Sequence, residues 1–196
     1  MQVHELVARF AAAVETADPM GAARKVLEDL RGEIDHIEKM LAYISGVGGN
    51  ARQVFYRSPN LTMLKVCFPN GRRTPPHDHG TWATILLLSG EEKNTLYRRE
   101  NGRLRRVGEV TLTRGEILPM LAETVHVAEC LGGKPTIGLH VYSLNDPKTD
   151  NRSHGTSAVP EGYLVSHLAN ERRKKRFALV GRRNAATATS YGCLLL

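Results

Sequence analysis

The sequence predicts a mainly β domain that is preceded by N-terminal α-helices. Up to about Leu41, apolar residues recur at the three- and four-residue spacings of amphipathic helices. From Val54 onward, short β-rich runs alternate with turn residues. One turn contains Asn101-Gly102, which type I′ hairpins favour because both central residues need positive φ. Such strands can close as a sandwich, a jelly roll or another barrel.

Two helical stretches are expected before the strands. The first has one buried face, formed by an apolar stripe of Val3, Leu6, Val7, Phe10 and Val14. Asp18-Pro19 breaks this stretch, and the second one continues to Leu41 before glycines at 46–49 end it. We therefore expect residues 1–50 to form a helical segment packed on the β domain.

The strand region is expected to span residues 51–145. Its β-rich runs are 61–68, 82–88, 94–98, 104–112, 116–120 and 136–143. Beyond residue 145 the composition becomes polar and then basic. We expect residues 146–196 to form a C-terminal extension with a basic segment.

The net charge of the chain is concentrated in that extension. The formal net charge is +7, and residues 172–176 (RRKKR) with Arg182 and Arg183 carry seven positive charges. Such a segment could bind phosphates, but a solvated charged surface is the commoner outcome. Because no helix-turn-helix pattern accompanies it, we expect no nucleic-acid partner.

The sequence offers no sign of a membrane partner. No apolar run approaches the roughly 20 residues that a membrane-spanning helix needs. The stretch MQVHELVARF lacks the basic and apolar regions of a secretory signal. We expect a cytoplasmic protein that is a monomer or a homodimer.

The candidate functional residues are histidines of the β region. His77 and His79 are two residues apart, so on an extended strand both imidazoles would project from the same face. Neutral imidazole is the commonest protein metal ligand. A pair of histidines on a polar loop is the alternative.

The spacing around these histidines resembles the two sequence motifs of the cupin family. Gly71 precedes His77 by six positions, and Gly90 follows His79 by eleven. A second glycine, Gly115, precedes His126 by eleven positions, as in the second cupin motif. The resemblance implies a double-stranded β-helix, which is a jelly-roll barrel, with a metal held by His77, His79 and His126.

One departure from the usual cupin pattern indicates a particular group of cupins. Most cupin motifs carry a glutamate where this sequence has Ala83, so three histidines remain as ligands. A three-histidine site with open positions suits iron(II) chemistry with a substrate and dioxygen, although nickel, manganese or zinc could occupy it. The chain resembles the cysteine dioxygenase family and related predicted metal-dependent cupins from about Arg57 to Ser143, most strongly in TPPHDHGTWATILLLSGEE, TVHVAEC and IGLHVYS.

That resemblance also implies roles for residues beside the metal. His140 and Tyr142 match the family's histidine and tyrosine near the substrate, although Gly138 stands where the family has a serine. Arg57 matches the arginine that receives the substrate carboxylate, for which a guanidinium fork is suited. The alternatives are a packed strand pair for His140 and Tyr142 and a surface position for Arg57.

The resemblance implies an oxidoreductase that adds dioxygen to the sulfur of a small thiol and produces a sulfinic acid. Cysteine and 3-mercaptopropionate are thiols of the expected type. A metal cupin that acts on another small molecule is one alternative, because a fold does not fix a reaction. A non-catalytic cupin that senses a metal or ligand is another.

Overall fold

The structure, a computed structural model, describes residues 1–44 and 52–143. The glycine-rich end of the helical segment and the C-terminal extension with its basic residues lie outside the described residues. No helix within the described ranges is long and apolar enough to cross a membrane.

The N-terminal region contains three helices, α1 (Val3–Val14), α2 (Pro19–Asp29) and α3 (Ile34–Ala42). A 3-10 turn at Arg31–Glu33 divides the second predicted helical stretch into α2 and α3. Asp18 caps α2, because its carboxylate accepts a hydrogen bond from the Gly21 N–H at 3.0 Å. Pro19 then occupies the first helical turn, where its missing N–H costs nothing.

Eight strands follow, and they form two antiparallel sheets. The larger sheet has the order β1-β2-β8-β3-β6, and the smaller has the order β5-β4-β7. The strands are β1 (Arg52–Arg57), β2 (Thr62–Phe68), β3 (Ala83–Ser89), β4 (Glu91–Glu100), β5 (Arg103–Leu112), β6 (Ile117–Met120), β7 (Val125–Leu131) and β8 (Thr136–Tyr142).

The strand pairs are nested around a single turn. β4 pairs with β5, β3 with β6 and β2 with β8. Two isolated bridges, Arg73–Glu129 and His77–His126, join the segment before β3 to β7. This contact lies between the β3–β6 pair and the β2–β8 pair. A long hairpin folded in this way is a jelly roll, the architecture that cupins use. The predicted fold class is therefore confirmed.

The turn at the centre of this nest is the predicted hairpin. Glu100 pairs with Arg103, which leaves Asn101 and Gly102 as a two-residue loop. Both residues have positive φ, 50° and 74°, as a type I′ turn requires. The hairpin prediction is confirmed.

The larger sheet separates two apolar clusters. In β3, Leu86 and Leu88 face the helices, whereas Ala83, Ile85 and Leu87 face the interior of the jelly roll. The helix-side cluster joins the apolar faces of α1, α2 and α3 to the sheet through Leu6, Phe10, Leu27, Ile37, Leu41, Phe55, Met63 and Val141. The helices therefore pack on the face of the sheet that is opposite the interior.

Two local expectations were wrong. His77 and His79 do not lie on a regular strand, because Pro75 and Pro76 lack the N–H groups that a continuous ladder needs. β1 and β7 were absent from the predicted runs, although they are strands of six and seven residues. In β7, the polar residues His126 and Glu129 interrupt the apolar residues.

Candidate metal centre

The structure brings His77, His79 and His126 together. Their ring centroids are 4.4–5.2 Å apart, and one nitrogen from each ring lies within 4.8 Å of the others. The backbones of His77 and His126 exchange two hydrogen bonds, of 3.0 and 2.8 Å, so β7 fixes the position of the irregular segment. These three imidazoles could hold one metal ion.

Two of the three rings are oriented by hydrogen bonds at Nδ1. His77 Nδ1 lies 3.0 Å from the carbonyl oxygen of Pro75, and His126 Nδ1 lies 2.8 Å from Oδ1 of Asn94. Both partners are acceptors, so each Nδ1 carries the proton and each Nε2 keeps its lone pair. Metal-binding histidines are commonly held in this way. The donor set therefore fits a metal ion.

Burial keeps two histidines neutral. It lowers the pKa of His126 to about 2, with further contributions from His77, His79 and Arg52. Burial also holds the pKa of His140 well below its usual value, with His79 and Arg52 the next largest causes. A neutral imidazole is the form that binds a metal.

His140 and Tyr142 lie beside this cluster. His140 Nδ1 is 2.9 Å from the Tyr142 hydroxyl, and the ring centroids of Tyr142 and His79 are 4.8 Å apart. β8 places both side chains on the inner face, where Tyr142 pairs directly opposite Ala83. The structure thus places the two residues of the implied pair together next to the histidine cluster.

Gly138 lies under the ring of His140. A Cβ atom built on Gly138 would be only 2.8 Å from His140 Nε2. His140 therefore occupies the space that a side chain at position 138 would need. The glycine at position 138 is therefore coupled to the present position of His140.

The cavity next to the histidines contains a different arginine from the predicted one. Arg52 lines it, together with His77, His79, His126, His140 and Tyr142. Arg57 is not among the lining residues, but it lies in one cross-strand row with Thr62 and Tyr142. The substrate-binding role of Arg57 stays a prediction.

Two polar residues of β4, Glu92 and Asn94, were not predicted as part of the site. Both are buried, and Asn94 bridges His126 to Glu92, with 2.9 Å from its Nδ2 to Glu92 Oε1. Burial raises the pKa of Glu92, whereas hydrogen bonds from Asn94 and Thr136 lower it. Their two-residue spacing placed both on one strand face, and that was the signal available in the sequence.

The cavity is small. Its empty space is about 270 Å³, part of which is open to solvent. The residues that line it include the three histidines, Arg52 and Glu92.

Several solved structures are similar to this chain, and they include two RmlC-like cupins. The one from Shewanella frigidimarina NCIMB 400 is 20% identical, with 50% of this chain and 78% of that chain covered and a TM-score of 0.39. The one from Methanocaldococcus jannaschii is 14% identical, with 50% and 84% covered and a TM-score of 0.38. The protein BH2720 from Bacillus halodurans is 11% identical, with 70% and 85% covered and a TM-score of 0.46.

No protein-family model matches the chain, and no curated protein matches its sequence. The jelly-roll fold follows from the strand pairing of this chain, and its three-histidine cluster could hold a metal. The resemblance to thiol dioxygenases stays a prediction.

Proposed function

We propose that this protein is a mononuclear non-haem iron thiol dioxygenase that adds both atoms of dioxygen to the sulfur of a small thiol. The observation that carries the proposal is the His140–Tyr142 hydrogen bond in the same cavity as His77, His79 and His126. This hydrogen-bonded histidine and tyrosine lie next to a set of three imidazole ligands.

The ligand set supports iron in this role. Position 83, which lies opposite Tyr142, is a fully buried alanine. It therefore adds no carboxylate to the three histidines. Iron(II) held by these residues would supply Lewis acidity that lowers the pKa of a thiol, and open positions for the thiol and dioxygen. Nickel, manganese and zinc can also bind to the same three imidazoles.

His140 and Tyr142 would act on the reacting atoms. His140 is neutral because burial lowers its pKa, so one of its ring nitrogens donates a hydrogen bond and the other accepts one. The Tyr142 hydroxyl, held by His140 Nδ1, would orient or protonate oxygen as the sulfur is oxidised. Both side chains are buried, so little water reaches them.

An arginine would receive the carboxylate of a carboxylated thiol. Guanidinium offers a planar fork that matches a carboxylate. Arg52 lines the cavity, and Arg57 lies two strands from Tyr142 in the same row. Both are therefore candidates, and kinetics with two thiols distinguish them.

Oxygen uptake tests the proposal directly. The protein would be reconstituted with iron(II) without oxygen and then supplied with cysteine, cysteamine or 3-mercaptopropionate. We expect oxygen uptake and a sulfinic acid product from at least one thiol. Tyr142→Phe should keep iron and lose about 100-fold in turnover, as expected when a general acid is removed.

The matched control is Tyr43→Phe, which makes the same change at an exposed tyrosine of the helical segment. This variant should turn over thiol as the wild type does. Full iron loading without turnover of any thiol would refute the dioxygenase proposal and leave the metal site in place. Iron retention by His126→Ala would show that the third ligand is a different residue.

The arginine candidates require a separate comparison. Replacing the carboxylate-binding arginine by methionine should raise the KM for 3-mercaptopropionate at least tenfold and leave the KM for cysteamine, which lacks a carboxylate, unchanged. Arg52→Met and Arg57→Met would be measured side by side. Equal changes in the KM of both thiols would mean that the tested arginine supports the fold and does not bind the carboxylate.

A metal cupin that acts on another small molecule is the second candidate. Glu92 supports it, because a buried carboxyl group lines the cavity and could serve a reaction that needs a base. Gly138 supports it as well, since the serine of the family's relay is absent. The third alternative is a non-catalytic sensor, for which metal binding without oxygen uptake would be the outcome.

A further inference from the structure

We propose that Glu92 and Asn94 are positioning residues that select the metal-binding tautomer of His126. The inference rests on the proposed metal site at the three histidines but not on the thiol as substrate. Three buried side chains form one chain of hydrogen bonds, His126–Asn94–Glu92. Each link fixes the orientation of the next.

The first link determines which nitrogen of His126 faces the cluster with a lone pair. Oδ1 of Asn94 only accepts hydrogen bonds, so His126 must donate from Nδ1. Nε2 is then free of a proton, and it lies 3.1 Å from Nε2 of His79 at the centre of the cluster. This is the form in which Nε2 can bind a metal.

The second link determines the orientation of the Asn94 amide. An amide can rotate by half a turn and exchange its oxygen for its NH2 group. In the rotated form, NH2 would face His126 Nδ1, and the ring proton would move to Nε2 and block metal binding. Glu92 Oε1 prevents this, because it accepts a hydrogen bond from Nδ2 of Asn94.

The strand register explains why these residues meet. Glu92 and Asn94 are two residues apart on β4 and point to the same face. Asn94 pairs opposite Ala128, which lies two residues from His126 on β7, so Asn94 reaches His126 diagonally. The small side chain of Ala128 leaves the inner face open for this contact.

Cobalt(II) binding and histidine NMR test the inference without any assay of activity. Glu92→Met removes the acceptor and should weaken cobalt(II) binding about 10- to 100-fold, as loss of a supporting hydrogen bond does at other metal sites. Glu92→Gln keeps a carbonyl acceptor and should bind cobalt(II) within about threefold of wild type. In the metal-free protein, ¹⁵N shifts of His126 should report Nδ1–H in wild type and Glu92→Gln, and Nε2–H in Glu92→Met.

Asn94→Asp provides the control that separates orientation from packing. Aspartate has two equivalent oxygens and accepts from His126 in either orientation, so nothing remains for Glu92 to select. Glu92→Met should therefore not weaken cobalt(II) binding further in the Asn94→Asp background. An equal loss in both backgrounds would assign Glu92 to packing alone and overturn the inference.

The two proposals fail in different ways. If wild-type protein does not bind cobalt(II), the metal site itself is wrong. If wild type binds cobalt(II) and Glu92→Met binds it equally well, the metal site stands and the positioning role is wrong. If cobalt(II) binding follows the expected series but no thiol is oxidised, only the thiol dioxygenase proposal fails.

Discussion

Gly138 shows how one missing side chain can set the position of a neighbouring one. Gly138→Ala would bring a Cβ atom to within 2.8 Å of His140 Nε2, so the ring has to move away from its hydrogen bond with Tyr142. We expect a loss of about 1–3 kcal/mol in the free energy of unfolding, as for overpacked cores. Urea unfolding would measure it.

The control for this change is Gly108→Ala, where a Cβ atom would meet nothing within 4 Å. That variant should change the free energy of unfolding by less than about 0.5 kcal/mol. Equal stability of both variants would mean that the His140 ring is free to move.

Glu92 makes a prediction about pH. Burial raises the pKa of this carboxyl group in the folded protein above 4.5, so folded protein binds its proton more tightly than unfolded chain does. Its contribution to stability is therefore present below pH 4.5 and is lost as pH rises through the folded-state pKa. As pH rises through the folded-state pKa, the free energy of unfolding of wild type should therefore fall relative to that of Glu92→Gln.

Urea unfolding of metal-free wild type and Glu92→Gln, at intervals from pH 4 to pH 8, would measure this effect. The difference between their free energies of unfolding should change steadily in favour of the glutamine variant. A difference that does not change with pH would show that Glu92 titrates alike in the folded and unfolded states.

At the scale of elements, an ion pair holds the irregular segment that carries two metal ligands. Asp78 lies between His77 and His79, and Arg99 of β4 contacts its carboxylate at 2.9 Å. Exposed pairs contribute about 0.2–1 kcal/mol, and 1.4 kcal/mol corresponds to tenfold in affinity. Arg99→Met should therefore weaken cobalt(II) binding by at most about fivefold, and high salt should remove the difference.

Arg105→Met is the matched control. Arg105 belongs to the same hairpin, is as exposed as Arg99 (66% against 65%) and pairs with Glu100 instead of the ligand segment. Its loss should leave cobalt(II) affinity unchanged at every salt concentration. Titrations at low and high salt measure both variants. If both variants lower the cobalt(II) affinity equally, the cause is the loss of a positive charge anywhere on the hairpin and not the ion pair with Asp78.

The elements also show what the sequence could predict. The helices, most strands and the Asn101-Gly102 turn follow from local spacing, which is a property of neighbouring residues. The three histidines could be found because motif spacing relates them along the chain. Glu92, Asn94 and Arg52 could not, because their place in the site depends on strand register and on which face turns inward.

At the scale of the whole molecule, the larger sheet lies between the apolar core that it forms with the helices and the candidate metal centre. The helices cover one face of the sheet, and the histidine-lined cavity lies on the other side. Stability and metal binding are therefore expected to respond to different substitutions. Sites that share no partner generally behave additively.

A pair of identical substitutions tests this separation. Leu27 of α2 is fully buried against the sheet, whereas Leu121 is 53% exposed. Leu27→Ala should lower the free energy of unfolding by about 2–5 kcal/mol, because it removes buried surface and leaves a cavity. Leu121→Ala should lower it by less than about 1 kcal/mol, and urea unfolding would measure both.

Cobalt(II) affinity completes the test, because Leu27 is separated from the ligands by the sheet. At temperatures where Leu27→Ala is folded, it should bind cobalt(II) within about threefold of wild type, since its packing shares no contact with His77, His79 or His126. A large loss of affinity in the folded variant would mean that the helices hold the ligands in place through the sheet. In that case the helical segment would be part of the metal centre and not only of the core.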